Sequence, residues 1–198
     1  MKFGKIALIG IVLYTLTGCT MPLKMSSPTK FKMPIINQHP YTVGLFIPDD
    51  VKSSVYVKVT SPFDKMSYPI GEQTTLIFQK NLPHVFEEVV EVDSRNPTDN
   101  VDMVLEPSIV KFDSVIPNPA WDPYMATIIY RVDIYDRDGE KIFTQTAVGD
   151  AQMSEGVMSG FYARRLCAEV AQKAMENALK QIIAGLSEAE ELKNYKKK

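Results

Sequence analysis

Runs of apolar residues predict β-strands in the part of the chain that follows residue 40. The run 41–47 is almost wholly apolar and stops before Pro48, which is typical of a buried strand. In 54–60 three valines fall on one face, whereas Tyr56 and Lys58 fall on the other. That alternation is typical of a half-buried strand.

A hairpin is the clearest local prediction. Residues 85–92 and 101–112 are two more stretches with strand composition. In 124–135 the even positions are apolar, which places them on one face of a strand. Residues 136–139 have the composition of a turn, and 142–148 alternate again. These two strands and their turn are therefore predicted to pair.

Apolar residues at three- and four-residue steps predict two helices. One spans 68–83 and ends at a proline, and the other runs from a cap at Ser159 to about Gly185 or further. In the second helix the apolar pairs repeat every four residues, so the stripe turns by about 200° over five steps. Its far end carries four large apolar residues, Leu179, Ile182, Ile183 and Leu186. They are predicted to contact another subunit while the first half of the helix packs on its own sheet. The alternatives are that the helix bends over a twisted sheet and its far end covers a loop, or that this end frays.

Together these elements predict one α+β domain over 41–186. The order is β-β-α-β-β-β-β-α, with a mainly antiparallel sheet, two helices, and the long C-terminal helix packed on the sheet. Residues 187–198 are interpreted as a charged C-terminal tail.

The N-terminal residues 1–18 have the order of a secretory signal peptide. Two lysines precede the apolar run 6–16, and small residues follow it. As a helix the 11 residues of this run would measure about 16 Å, against a hydrocarbon core of roughly 30 Å. The segment is therefore expected to be cleaved.

The end of this segment, Leu16-Thr17-Gly18-Cys19, resembles the lipobox of bacterial lipoproteins at all four positions. That resemblance implies cleavage before Cys19, acylation of this cysteine with chains such as palmitate, and a membrane anchor. Thr20, in a place where aspartate favours inner-membrane retention, implies the periplasmic face of the outer membrane. An ordinary cleaved signal and an uncleaved anchor stay open as alternatives.

Residues 19–40 are interpreted as the lipidated cysteine and a proline-rich tether. Prolines recur at positions 22, 28, 34 and 40 among serines and lysines. Proline lacks an amide donor and restrains the residue before it, so the segment is expected to be extended and solvated. Its length would allow a reach of up to roughly 65 Å.

The composition and the spacing of the polar residues indicate no catalytic or metal-binding site. The formal net charge of −2 becomes −4 once the two signal lysines are removed, which is too small to favour nucleic acid as a partner. Cys167 lies in an apolar helical pattern and is expected to be buried, and His39 and His84 lack metal-ligand spacing. The turn 136–139 resembles a calcium loop, but Ala147 stands where that loop needs glutamate. Neither an enzyme activity nor a metal or cofactor is predicted.

One loop is a candidate contact site for a partner. Residues 117–124 contain three prolines and Trp121, the only tryptophan of the chain. Tryptophan is common at interface anchors, and neighbouring prolines reduce the entropy lost on binding. The alternative is that Trp121 closes an open end of the core.

The chain resembles the YajG-type envelope lipoproteins and, more distantly, the PelC and CsgG export lipoproteins and the TolB amino-terminal domain. The motifs that carry the resemblance are Tyr68-Pro69-Ile70-Gly71-Glu72, Asp102-Met103-Val104-Leu105-Glu106-Pro107 and Asp136-Arg137-Asp138-Gly139. It implies an α+β fold anchored at the periplasmic face of the outer membrane. Since the sequence shows no catalytic set, the expected function is that of a non-enzymatic structural or assembly component, such as one of an export or envelope-maintenance complex, with an envelope protein or a second copy as partner. The alternative function is a periplasmic binding module for lipid or glycan, with a pocket between the last helix and the sheet.

Overall fold

A five-stranded mixed sheet lies at the centre of the fold. The computed structural model describes residues 19–28, 38–61, 64–96, 100–117, 122–154 and 160–195. Within them the strands are β1 (Cys19–Pro22), β2 (His39–Leu45), β3 (Tyr56–Ser61), β4 (Asp64–Tyr68), β5 (Phe86–Glu91), β6 (Met103–Val115), β7 (Tyr124–Asp136) and β8 (Lys141–Met153). The α-helices are α1 (Asp49–Lys52), α2 (Ile70–Asn81), α3 (Gly160–Glu188) and α4 (Glu190–Lys193), and a 3-10 helix spans Leu82–His84.

Both longer helices cover the same face of the central sheet. Its strand order is β5-β2-β6-β7-β8, with β2 parallel to both neighbours and β6, β7 and β8 antiparallel. Thr74 of α2 and Tyr130 of β7 share a hydrogen bond of 2.8 Å on this face, and α3 packs along β7 and β8 beside it. The predicted α+β fold with a long C-terminal helix on the sheet is confirmed.

The predicted hairpin of β7 and β8 is present. Ala126, Ile128 and Tyr130 each expose 2% or less, because alternate residues of β7 point into the core. At the turn, the Asp136 carboxylate accepts hydrogen bonds from the backbone amides of Asp138 at 3.0 Å and Glu140 at 2.9 Å. Gly139 follows with φ 80°, a conformation that glycine adopts readily. Asp136 thus acts as a turn residue.

The far end of α3 corrects one prediction. Four side chains offered as a subunit contact expose 0%: Leu179, Ile182, Ile183 and Leu186. They belong to the main core, because the start of β2 covers the end of the helix. His39 donates from Nε2 to the carbonyl oxygen of Leu186 at 3.0 Å. The rotating apolar stripe therefore follows the twist of the protein's own sheet, and these residues offer no contact surface.

The C-terminal segment is also folded further than expected. Leu192 of α4 exposes 0%, and the Tyr41 hydroxyl lies 3.0 Å from its carbonyl oxygen and 2.7 Å from that of Tyr195. The rings of Tyr41 and Tyr195 meet edge to face at 5.5 Å. The predicted charged tail is thus wrong for residues up to 195, which close one end of the core.

The smaller sheet, in the order β1-β4-β3, differs from the sequence prediction in two ways. β4 is a strand where the sequence indicates only the approach to a helix. In β3 the buried side carries Tyr56, whose ring meets those of Phe112 at 5.0 Å and Tyr68 at 5.8 Å. The Tyr56 hydroxyl donates to the Asp113 carboxylate at 3.0 Å. This aromatic cluster turns the valine face of β3 to solvent.

The prediction of an extended, solvated tether is wrong for the first residues after the signal segment. Cys19–Pro22 pairs with β4 in parallel, and the amide of Leu23 donates to Ser67 at 2.9 Å. The Leu23 side chain exposes 5%. The sheet accommodates Pro22 because β1 is an edge strand, where a missing amide can face away from the neighbouring strand. Residues 29–37 lie outside the described part of the chain.

Candidate functional site

A cluster of buried carboxylates joins the β7–β8 turn to the chain before β6. Glu106 forms a bidentate ion pair with Arg95, with 2.7 Å between Arg95 Nη2 and Glu106 Oε1. The Arg95 guanidinium also lies 5.2 Å from the centre of the Tyr135 ring. Asp102 pairs with Arg137 at 3.0 Å. These pairs fix Arg95, which follows β5, and Asp102, which precedes β6, to the sheet.

Asp133 of this carboxylate cluster is held by three side chains. Its carboxylate accepts from the Thr144 hydroxyl at 2.5 Å and lies 3.1 Å from Lys141 Nζ and 3.3 Å from Arg131 Nε. Burial alone would raise the pKa of Asp133, but these three partners outweigh it and hold the pKa below its ordinary value. Asp133 therefore stays ionised and structural at neutral pH.

The Asp133 pairing predicts a loss of stability in acid. Asp133→Asn is expected to destabilise the protein by about 1–2 kcal/mol at pH 7, because it removes charge-assisted hydrogen bonds. Since the folded-state pKa is lowered, the contribution is present above the unfolded pKa of about 4 and disappears as pH falls through the lower folded value. Urea unfolding at pH 7 and in strong acid measures this difference. Equal destabilisation at both pH values would contradict it, and exposed Asp93→Asn is the control.

The cysteine and the two histidines discussed in the sequence analysis occupy structural positions. Cys167 exposes 2%, and burial raises the pKa of its thiol, so the interpretation of this residue as a small core side chain is confirmed. The prediction that His39 lies in the tether is wrong. This residue begins β2, exposes 6% and bonds to α3. His84 ends the 3-10 helix. Among the described residues, no group of three or more His, Cys, Asp or Glu could hold a metal ion.

The helix α3 and the strand β8 meet closely at Gly149. A Cβ built on Gly149 would lie 2.0 Å from the Ala174 carbonyl oxygen, so helix and strand are in backbone contact there. A groove of about 320 Å³ lies at the end of β7 and β8, lined by Met125, Ala126, Thr127, Asp150, Ala151 and Gln152. The pocket that a lipid- or glycan-binding module would need between α3 and the sheet is therefore closed at this contact.

The predicted processing and contact residues fall partly outside the structure. Leu16, Thr17, Gly18 and Trp121 lie outside the described residues. The backbone of Cys19 begins β1, opposite Asp64 of β4. Within the described ranges, no helix is both long enough and apolar enough to cross a membrane.

A row of exposed valines shares the small sheet with Cys19. Val55, Val57 and Val59 expose 54%, 45% and 60%. We call these three residues the valine row. Sequence reasoning grouped them correctly on one face, but it could not tell that this face points outward. The signal that could have shown it is Tyr56, whose large ring competes with the valines for the buried side.

The chain matches no protein-family model and no curated protein. Several solved structures are similar. Protein XCC0632 from Xanthomonas campestris, of the DUF330 family, has 12% identity and a TM-score of 0.50 over 85% of this chain and 92% of that one.

Two further structures are more weakly similar. A minor lipoprotein from Acinetobacter baumannii has 12% identity and a TM-score of 0.44 over 74% of this chain and 90% of that one. The PelC dodecamer from Paraburkholderia phytofirmans has 12% identity and a TM-score of 0.36 over 77% of this chain and 95% of that one. The likeness to the Xanthomonas protein shows a shared fold, and the other two are too weak to extend it. The expected kinship with YajG-type proteins and TolB stays a prediction.

Proposed function

We propose that this chain is a lipid-anchored, non-enzymatic envelope protein that acts as a structural or assembly component. The observation that carries the proposal is Leu16-Thr17-Gly18-Cys19 at the end of a charged and apolar N-terminal segment. Cleavage there would leave Cys19 as the first residue, with acyl chains that hold the protein on the periplasmic face of the outer membrane.

The pairing of the buried charges supports a structural role. Glu106, Asp102 and Asp133 are each held by cationic side chains, and their contacts join one part of the fold to another. A general acid or base needs a carboxyl group that can reach a substrate and change its protonation. The paired state of these groups suits fixed geometry better than proton transfer.

The closed contact between α3 and the sheet favours protein partners over a small ligand. A ligand site is usually a concave pocket that buries most of its ligand. Here Gly149 and Ala174 bring β8 and α3 into backbone contact at the place where such a pocket was expected. The proposed partner is therefore another envelope protein or a second copy of the chain.

Affinity purification of the lipidated protein from crosslinked envelopes tests this assembly role. Specific envelope proteins, or crosslinked copies of the chain, are expected to be recovered and identified by mass spectrometry. A Cys19→Ser chain exported to the same compartment is the matched control, and it should lose those partners if position is what brings them together. Recovery of uncrosslinked protein alone from the wild-type sample would overturn the proposal.

A further inference from the structure

The valine row forms an exposed apolar strip, with Val57 and Val59 on the edge strand β3 and Val55 just before it. Its three side chains occupy alternate positions, so they point the same way and span about 13 Å from Val55 to Val59. Each of them exposes 45% or more, whereas Tyr68 and Phe112 on the buried side of the sheet expose 0% and 7%. The two sides of the small sheet therefore differ sharply in burial.

The strip is held rigidly from behind. Tyr56 donates to Asp113 at 3.0 Å, and Lys58 Nζ lies 3.6 Å from the same carboxylate. Tyr68 shares a hydrogen bond of 2.8 Å with Ser114, which fixes β4 to the end of β6. Because both strands are fixed to β6, the outward direction of the valine row is a property of the folded domain.

The strand register brings the valine row level with the N-terminal end of the mature chain. Lys65 pairs with both Thr20 and Val59, and Ser67 pairs with both Pro22 and Val57. Since neighbouring strands lie about 4.8 Å apart, β1 and β3 are roughly 10 Å apart. Residue 19 thus begins a strand in the same sheet that carries the valine row.

We propose that the valine row docks on the lipid bilayer to which Cys19 is anchored. The inference rests on the proposed acylation, since it is Cys19 that fixes which surface the sheet meets. Acyl chains on the first residue of β1 leave no linker between the bilayer and the small sheet. The small sheet would then lie close to the membrane surface, where its outward side, which Thr20 and Pro22 share with the valine row, can meet the interface.

The charge beside the row is compatible with a bilayer. Lys65 falls on the outward side of β4, between Thr20 and Val59, and Lys24 is exposed just after β1. The nearest carboxylates are engaged, since Asp64 lies 3.7 Å from Arg164 and Asp113 is held by Lys58. Lysines next to an apolar strip suit a surface of anionic headgroups above acyl chains.

A second exposed apolar face provides a matched control. Val148 exposes 42% and lies in the central sheet, on the side of β8 opposite α3. Its strand β8 belongs to a different sheet from β1, the strand that begins at Cys19. A residue there has the same size and similar exposure as a member of the valine row, but it should stay in water.

The test places an environment-sensitive fluorophore on Val57→Cys or Val148→Cys in the full lipidated chain. Cys19 is acylated and Cys167 is buried, so the introduced thiol is the one that reacts. The labelled protein is reconstituted on vesicles of phosphatidylethanolamine and phosphatidylglycerol, with or without spin-labelled lipid. Melting of each variant checks that the fold is intact.

The expected result is quenching by spin-labelled lipid that is at least about threefold stronger on Val57→Cys than on Val148→Cys. Equal, weak quenching at both positions on protein that floats with the vesicles would overturn the docking and leave the anchor in place. Energy transfer between copies through Val57→Cys, without lipid quenching, would overturn it in favour of a second copy. Protein that fails to float at all would instead contradict the acyl anchor of the proposed function.

Discussion

Gly149→Ala is expected to destabilise the fold by about 3 kcal/mol or more, because the added methyl group has no room. Its Cβ would lie 2.0 Å from the Ala174 carbonyl oxygen, 2.6 Å from the Ala178 amide nitrogen and 2.8 Å from the Ala178 Cβ. Two of these atoms are backbone of α3, so the helix would have to move away from β8. That movement would open the packing of α3 on β8.

Urea unfolding monitored by circular dichroism measures this loss, and Gly185→Ala is the matched control. A Cβ on Gly185 would meet only the flexible end of Gln145, at 2.3 Å from its Nε2. That side chain can move, and alanine gains about 1 kcal/mol over glycine inside a helix, so the net change should be small. A Gly149→Ala protein as stable as the wild type would contradict the close packing of α3 on β8.

Cys19→Ser is expected to release the protein from the membrane. Each acyl CH₂ buried in a bilayer contributes about 0.8 kcal/mol, so loss of two or three chains should lower membrane affinity by at least about a thousandfold. The valine row cannot replace that energy, since three half-exposed valines bury far less apolar surface than acyl chains. The protein should therefore move almost completely to the soluble fraction.

Fractionation of cells by centrifugation and immunoblotting checks this release. Cys167→Ser is the control, because Cys167 exposes 2% inside the core and should have no effect on membrane attachment. Wild-type and Cys167→Ser proteins should sediment with membranes and resist a high-salt wash. A Cys19→Ser protein that sedimented as fully as the wild type would show that another part of the chain makes the attachment.

Local patterns in the sequence were enough to predict the fold class. Alternation in β7 and β8, and the polar turn between them, depend on neighbouring residues, so the hairpin can be found without knowing the rest of the fold. The same is true of α3, a helix of 29 residues in which apolar pairs recur every four positions. The lipobox-like motif that ends at Cys19 is local too, which is why the anchor could be predicted from the sequence.

The small sheet could not be predicted, because its partners are distant in the chain. The alternation in β3 shows which residues share a face, but Phe112 and Asp113 of β6 decide which face is buried. β1 is similar, since its proline argues against a strand until β4 is present to pair with it. The valine row was therefore missed as a surface.

The residues that pack over the end of α3 also come from distant parts of the sequence, so they could not be identified from the helix itself. A drifting stripe indicates that the two ends of a helix meet different neighbours, but it does not identify them. One of them is His39 at the start of β2, which bonds to the carbonyl oxygen of Leu186. This explains why Leu179 and Ile183 looked like candidates for a subunit contact.

The account depends most on the chemical state of Cys19. Mass spectrometry of the protein purified from membranes of its own cells, before and after removal of ester-linked acyl chains, tests it directly. The account predicts a mature chain that begins at Cys19 and carries the mass of a diacylglyceryl group and an amide-linked acyl chain. A mature chain that begins at another residue, or an unmodified thiol at Cys19, would contradict it.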